Sequence, residues 1–166
     1  MTPPLSMLSP APGAVAGEHA MPRASDAPVQ VLLVEDSPDD ADLMTTALHD
    51  GALNVRVTVL EDGEAAVAFL RREGAYSAAL RPDLVLLDLH LPRKNGLEVL
   101  GEIKEDPELR RIPVVVMTSS DKEEAFVAAY NLHANCCVSK PVDQDAYGLA
   151  VKKIERFWMH VAKRPR

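Results

Sequence analysis

Short apolar runs alternate with amphipathic stretches along most of this chain. Val29 to Glu35, Val55 to Leu60, Asp83 to Asp88, Ile112 to Met117 and Cys136 to Ser139 are each brief and rich in small or branched apolar residues, which predicts strands. Asp39 to Asp50, Asp62 to Glu73, Asn95 to Asp106, Asp121 to Leu132 and Asp143 to Ala162 carry apolar residues at helical spacing. A repeated strand-then-helix order predicts a parallel sheet covered on both faces, and the simplest single domain of that kind is a doubly wound α/β sandwich. In the last helix Ala146, Ala150, Ile154, Phe157, Trp158 and Val161 fall near one face. Most of that stripe is expected to cover the sheet, with Trp158 and Val161 overhanging its end as a candidate interface.

The periodicity stops before Val29. Residues 1–28 hold six of the thirteen prolines together with Ser, Ala and Gly, which predicts a disordered leader. Met7 and Met21 are candidate translation starts within it. The expected organisation is this leader, one folded domain over 29–162, a short tail over 163–166, and no output domain in the 166 residues.

Composition narrows the classes of partner. Eighteen basic against 25 acidic residues give a formal charge of -7, which disfavours nucleic acid and anionic membrane surfaces. No apolar stretch approaches the roughly 18 residues of a membrane span, and residues 1–20 lack a basic start with a continuous apolar centre. A cytoplasmic protein is expected. Cys136 and Cys137 are adjacent in a predicted strand, so their side chains should point to opposite faces as two small apolar groups. The five histidines, His19, His49, His90, His133 and His160, lack the local spacing of a zinc site.

The polar residues that interrupt the apolar runs fall at one place in such a fold. Asp88 ends an unbroken apolar strand, and in open parallel sheets ligands bind outside the carboxyl ends of the strands. The first strand ends in Glu35 and Asp36, followed by Ser37 as a helix N-cap, Pro38 at the first helical position, and Asp39 and Asp40 complementing the helix dipole. Helix-start chemistry leaves Glu35 and Asp36 unexplained. Carboxylates converging with Asp88 would repel unless a cation sat among them, and hard oxygen ligands with room for water point to magnesium. The fourth strand runs into Thr118, Ser119 and Ser120; Ser120 reads as the cap of the next helix, and Thr118 as the functional hydroxyl. Lys140 brings a cation to this acidic edge.

A nucleophilic carboxylate, acids for a divalent metal, a hydroxyl donor and a lysine together fit phosphoryl transfer to Asp88. The first strand–helix turn carries no GxGxxG or GxxxxGK[ST] pattern, so nucleotide binding is not expected.

Val34-Glu35-Asp36, Asp88 with Leu91-Pro92-Arg93-Lys94-Asn95-Gly96, Met117-Thr118-Ser119 and Lys140-Pro141, in that order over about residues 29 to 160, resemble a response-regulator receiver domain. The resemblance implies a flavodoxin-like five-stranded sheet in the order 2-1-3-4-5. It implies Asp88 as phosphoacceptor, with Asp36, Asp88 and the backbone carbonyl of His90 on Mg2+ and Glu35 acting through water. Thr118 and Lys140 would bind the phosphoryl group, the Lys140–Pro141 bond would be cis, and a histidine kinase would be the donor.

The stretch His90 to Gly96, the run Ala129 to Cys136 and the pair Phe157-Trp158 resemble more closely the small single-domain regulators of cyanobacterial and bacterial phytochromes. That group implies a phytochrome-type kinase and a homodimer formed through the last helices and strand. Two residues depart from the family pattern. Cys137 stands where an aromatic usually acts with Thr118 as a switch, and His133 replaces a glycine common at the end of the fourth helix, so it must adopt a left-handed conformation or alter the turn. The alternative function is a phosphorylation-independent binding adaptor with the same fold. A hydrolase acting through an aspartyl-phosphate would want a carboxylate two residues after its nucleophile, where this chain has His90.

Overall fold

The structure is a computed structural model that describes residues 27–51 and 53–163. Except for Ala27, Pro28 and Lys163, the expected leader and tail lie outside the described residues.

Five strands, β1 (Val29–Val34), β2 (Val55–Leu60), β3 (Leu84–Asp88), β4 (Val114–Thr118) and β5 (Cys136–Ser139), form one parallel sheet in the order β2-β1-β3-β4-β5. Five helices connect and follow them: α1 (Pro38–His49), α2 (Gly63–Arg71), α3 (Gly96–Glu105), α4 (Glu123–Asn131) and α5 (Gln144–Arg156). The continuous apolar runs have a direct cause. Leu32, Val34, Val85, Leu87, Val114 and Val116 enter one core with residues of α2, α3 and α4. Their neighbours Val31, Leu33, Leu84, Leu86, Val115 and Met117 enter a second core with α1 and α5. Strands buried on both faces have no position for a polar residue until they end. Cys136 packs against the second core and Cys137 against the first, as alternation requires.

Helix ends follow ordinary capping chemistry in most cases. Ser37, Asp62, Asn95 and Asp143 cap α1, α2, α3 and α5 through their side chains, and Asn95 with Glu98 forms a capping box. The fourth helix differs from expectation. Ser120 is not its cap; the Ser120 hydroxyl accepts from the Lys122 amide at 3.3 Å, closing a turn, and α4 starts only after Lys122. Local serine-to-backbone bonding has displaced the first helical turn. At the other end His133 takes φ +65°, with its amide donating to Tyr130 and that of Ala134 to Ala129. The turn keeps its left-handed geometry, and the side chain bears a cost of about 1–2 kcal/mol.

The buried stripe of α5 is displaced from the predicted one. Tyr147, Val151 and Ile154 are buried, with Trp158 half-buried against the same core, whereas Ala146 is exposed. Turning the helix by one position exchanges a methyl group for a tyrosine ring at the sheet, and burial of the larger apolar area wins. After Arg156 the chain makes a π-helical turn over Phe157–Val161, which leaves Phe157 exposed and Val161 68% exposed. Among the described residues no helix is long and apolar enough to cross a membrane.

Candidate functional site

Parallel pairing in register brings the strand ends to one edge. Val34 lies beside Leu87, Asp88 beside Met117, and Thr118 beside Ser139, so the residues that follow β1, β3, β4 and β5 converge there. Glu35 follows β1 and is 1% exposed; its amide still pairs with Leu60, and its Oε1 accepts from the Ser37 amide at 3.2 Å. Asp36 beside it is exposed. Asp88 is buried, its Oδ1 accepting from the His90 amide at 3.2 Å, while the His90 side chain is exposed. Thr118 is buried with its hydroxyl accepting from the Ser120 amide at 3.1 Å, and its carbonyl accepts from the Lys140 amide at 2.8 Å.

The Lys140–Pro141 peptide is trans, which corrects the cis bond implied by the family resemblance. An X–Pro bond favours trans by about 0.5–1 kcal/mol, and the trans form already brings the lysine into the site. Its Nζ lies 2.5 Å from Glu35 Oε2, 3.1 Å from Asp40 Oδ2 and 3.3 Å from Asp88 Oδ2. An ammonium has three hydrogens, and here three carboxylates share them. Burial works against the Lys140 charge, but the hydrogen bond to Glu35 and the charges of Asp88 and Glu35 outweigh it and raise the pKa above the usual lysine range. Burial pushes Glu35 up to about 7, against the hydrogen bond from Lys140 and with further repulsion from Asp88.

Glu35, Asp36 and Asp88 each offer an oxygen within 4.8 Å of the others. Three oxygen donors of one sign, one of them open to water, suit a hard divalent cation that keeps part of its hydration. The loop after Asp88 is pinned from several sides. Gly96 donates to the Leu89 carbonyl at 2.9 Å and packs so closely on the Asp88 backbone that a Cβ there would overlap it. Gly63 at the start of α2 meets Lys94 in the same way, and Lys94 pairs with Glu102, which also holds Arg71 at 3.2 Å.

Every residue picked from the sequence for this edge, Glu35, Asp36, Asp88, Thr118 and Lys140, is therefore found there. Asp40 was missed as a partner of Lys140, because its place in the first turn of α1 already had a sufficient explanation in the helix dipole. Its position four residues after Asp36 was the available signal. Cys137 lies in β5, and its amide donates to the hydroxyl of Tyr130 from α4 at 3.2 Å, so an aromatic side chain does reach this strand, but from the neighbouring helix.

Residues 31–152 match the family described as the response regulator receiver domain. The chain belongs to this family. Response regulator Rcp1 of Synechocystis sp. is 44% identical over 141 residues, spanning 85% of this chain and 96% of its own. The crystal structure of the phosphorylated cyanobacterial phytochrome response regulator RcpA is 45% identical with a TM-score of 0.82, covering 84% of this chain and 100% of that one. A Mn(2+)-bound crystal structure of Rcp1 is 44% identical with a TM-score of 0.81 and the same coverage. The receiver is thus a phosphorelay protein homologous to phytochrome response regulators, with an acidic cluster of the kind that receivers use for a divalent metal.

Proposed function

We propose that this receiver accepts a phosphoryl group from a histidine kinase on Asp88 and signals through a protein surface. The observation that carries the reading is the Asp88 carboxylate, buried yet held between the Lys140 ammonium and the acids Glu35 and Asp36. A carboxylate oxygen of Asp88 attacks phosphorus in line as the P–N bond of a phosphohistidine breaks. The imidazole leaves neutral, with its other ring nitrogen carrying the proton. Lys140 stays protonated and donates to one phosphoryl oxygen, and the Thr118 hydroxyl donates to another. Asp36, Asp88 and the His90 backbone carbonyl, with Glu35 through water, would hold Mg2+, which supplies positive charge against the phosphoryl oxygens.

The likeness to Rcp1 and RcpA supports a phytochrome-type kinase as donor and, with it, a cytoplasmic location. Exposed apolar side chains on α4 (Val127 and Tyr130) and after α5 (Phe157 and Val161) support a homodimer through the last helices and strand. The intact acid site favours phosphorylation over the adaptor reading. Incubation with a small phosphodonor and magnesium should label the wild type and leave Asp88→Asn unlabelled. Equal labelling of the two, or none of the wild type, would refute the assignment.

A further inference from the structure

Tyr147 lies in the first turns of α5, four residues after its cap Asp143, and is 2% exposed. Its ring belongs to the core that α1 and α5 build on one face of the sheet, to which Ala41, directly after Asp40, also contributes. The hydroxyl is buried with no hydrogen-bond partner. A buried hydroxyl without a partner costs about 1–3 kcal/mol, so its presence calls for an explanation. It lies within electrostatic reach of the whole site. Burial raises its pKa most, Lys140 opposes that, and Asp40, Glu35 and Asp88 add to it, so the hydroxyl keeps its proton and has it to donate.

The acceptor becomes available when the site is phosphorylated. Lys140 divides its three hydrogens among Glu35, Asp40 and Asp88. A phosphoryl group on Asp88 places new oxygens beyond the present carboxylate, and the ammonium must turn to reach them. The Glu35 contact is shorter and buried; the Asp40 contact is longer and its carboxylate is 39% exposed, so Asp40 is the partner most readily released. We propose that Asp40 and Tyr147 form an exchange switch in which phosphorylation of Asp88 draws Lys140 away from Asp40 and the Tyr147 hydroxyl takes its place. The inference rests on Asp88 being the phosphoacceptor. It supplies a route from the phosphoryl group to α5, and thence toward Phe157 and Trp158, that does not require an aromatic at Cys137. Tyr147 is a positioning residue in this scheme.

Beryllofluoride with magnesium, a stable mimic of a phosphoryl group on aspartate, tests the exchange by titration. Tyr147→Phe should weaken beryllofluoride binding about tenfold, the loss of one hydrogen bond to a charged group. In an Asp40→Ala background, the same Tyr147→Phe change should cost less than about twofold, because the acceptor is gone. The urea midpoint of Tyr147→Phe without ligand should equal or exceed that of the wild type, since only an unpartnered hydroxyl is removed. Wild-type beryllofluoride affinity in Tyr147→Phe, an undiminished effect in the Asp40→Ala background, or a lowered urea midpoint would each overturn the switch. A wild type that fails to bind beryllofluoride, or an Asp88→Asn variant that binds it equally, would instead refute the phosphoacceptor reading and the switch with it.

Discussion

Asp88 and Gly96 lie in backbone contact across the loop that separates them: a Cβ on residue 96 would overlap the Asp88 carbonyl oxygen and come within 2.5 Å of the Leu89 Cα. The neighbouring atoms are main chain and cannot turn aside as a flexible side chain would. Gly96→Ala should therefore cost about 1–3 kcal/mol, the usual penalty for overpacking. Urea denaturation checks this, and phosphodonor labelling of Asp88 should fall because the displaced atoms belong to the loop that carries it.

Asp36 is the exposed member of the acidic triad, so removing its charge leaves no buried group unpaired. Asp36→Ala is expected to reduce magnesium affinity at least about tenfold while the urea midpoint stays within about 0.5 kcal/mol of wild type. Calorimetric titration with magnesium chloride measures the first and denaturation the second. Unchanged magnesium affinity would remove Asp36 from the ligand set.

The Cys137 thiol is pushed up to about 11 by burial and by the neighbouring Cys136, against a hydrogen bond with Tyr130. The folded protein therefore holds the thiol proton more tightly than the unfolded chain. Its contribution to stability is complete below the ordinary thiol range, near 8.5, and is lost as pH rises toward 11. Alkylation by iodoacetamide should be slow at pH 8 in the native protein and accelerate only toward pH 11, whereas the urea-unfolded chain reacts as an ordinary thiol. Equal rates at pH 8 would contradict the assignment.

His133 occupies a left-handed turn at φ +65°. His133→Gly removes the Cβ clash, and a stabilisation of about 1 kcal/mol is expected from equilibrium denaturation. A loss of stability would mean that the imidazole makes a compensating contact.

Leu149 projects from α5 as a large exposed apolar side chain. If α5 forms a homodimer face, Leu149→Arg should shift sedimentation toward the monomer without lowering the urea midpoint of dilute protein. An unchanged sedimentation coefficient would place the interface elsewhere.

The alternation of apolar runs was enough to locate all five strands, and the polar residues ending β1, β3 and β4 stand out because a strand buried on both faces tolerates no polar side chain until it ends. Glu35, Asp36, Asp88 and Thr118 were legible for that reason, each at the end of a buried run, whereas Lys140 follows the half-buried strand β5 and was legible as a cation at an acidic edge. Other features depended on which neighbours the fold supplied. The face that α5 buries turned on the fit of Tyr147 between α1 and the sheet, and the Ser120 hydroxyl took part in a turn before α4 began. His133 kept the left-handed turn, and Lys140–Pro141 remained trans. Asp40 had a sound local explanation, the helix dipole, that concealed its place beside Lys140, and Tyr147 fell outside the apolar stripe expected for the last helix. Sequence pattern determines where a chain changes from buried to exposed, since that is a local balance of solvation. Only the tertiary structure decides which side chains from different elements share an ammonium or lack a partner, since those contacts depend on packing between segments distant along the chain.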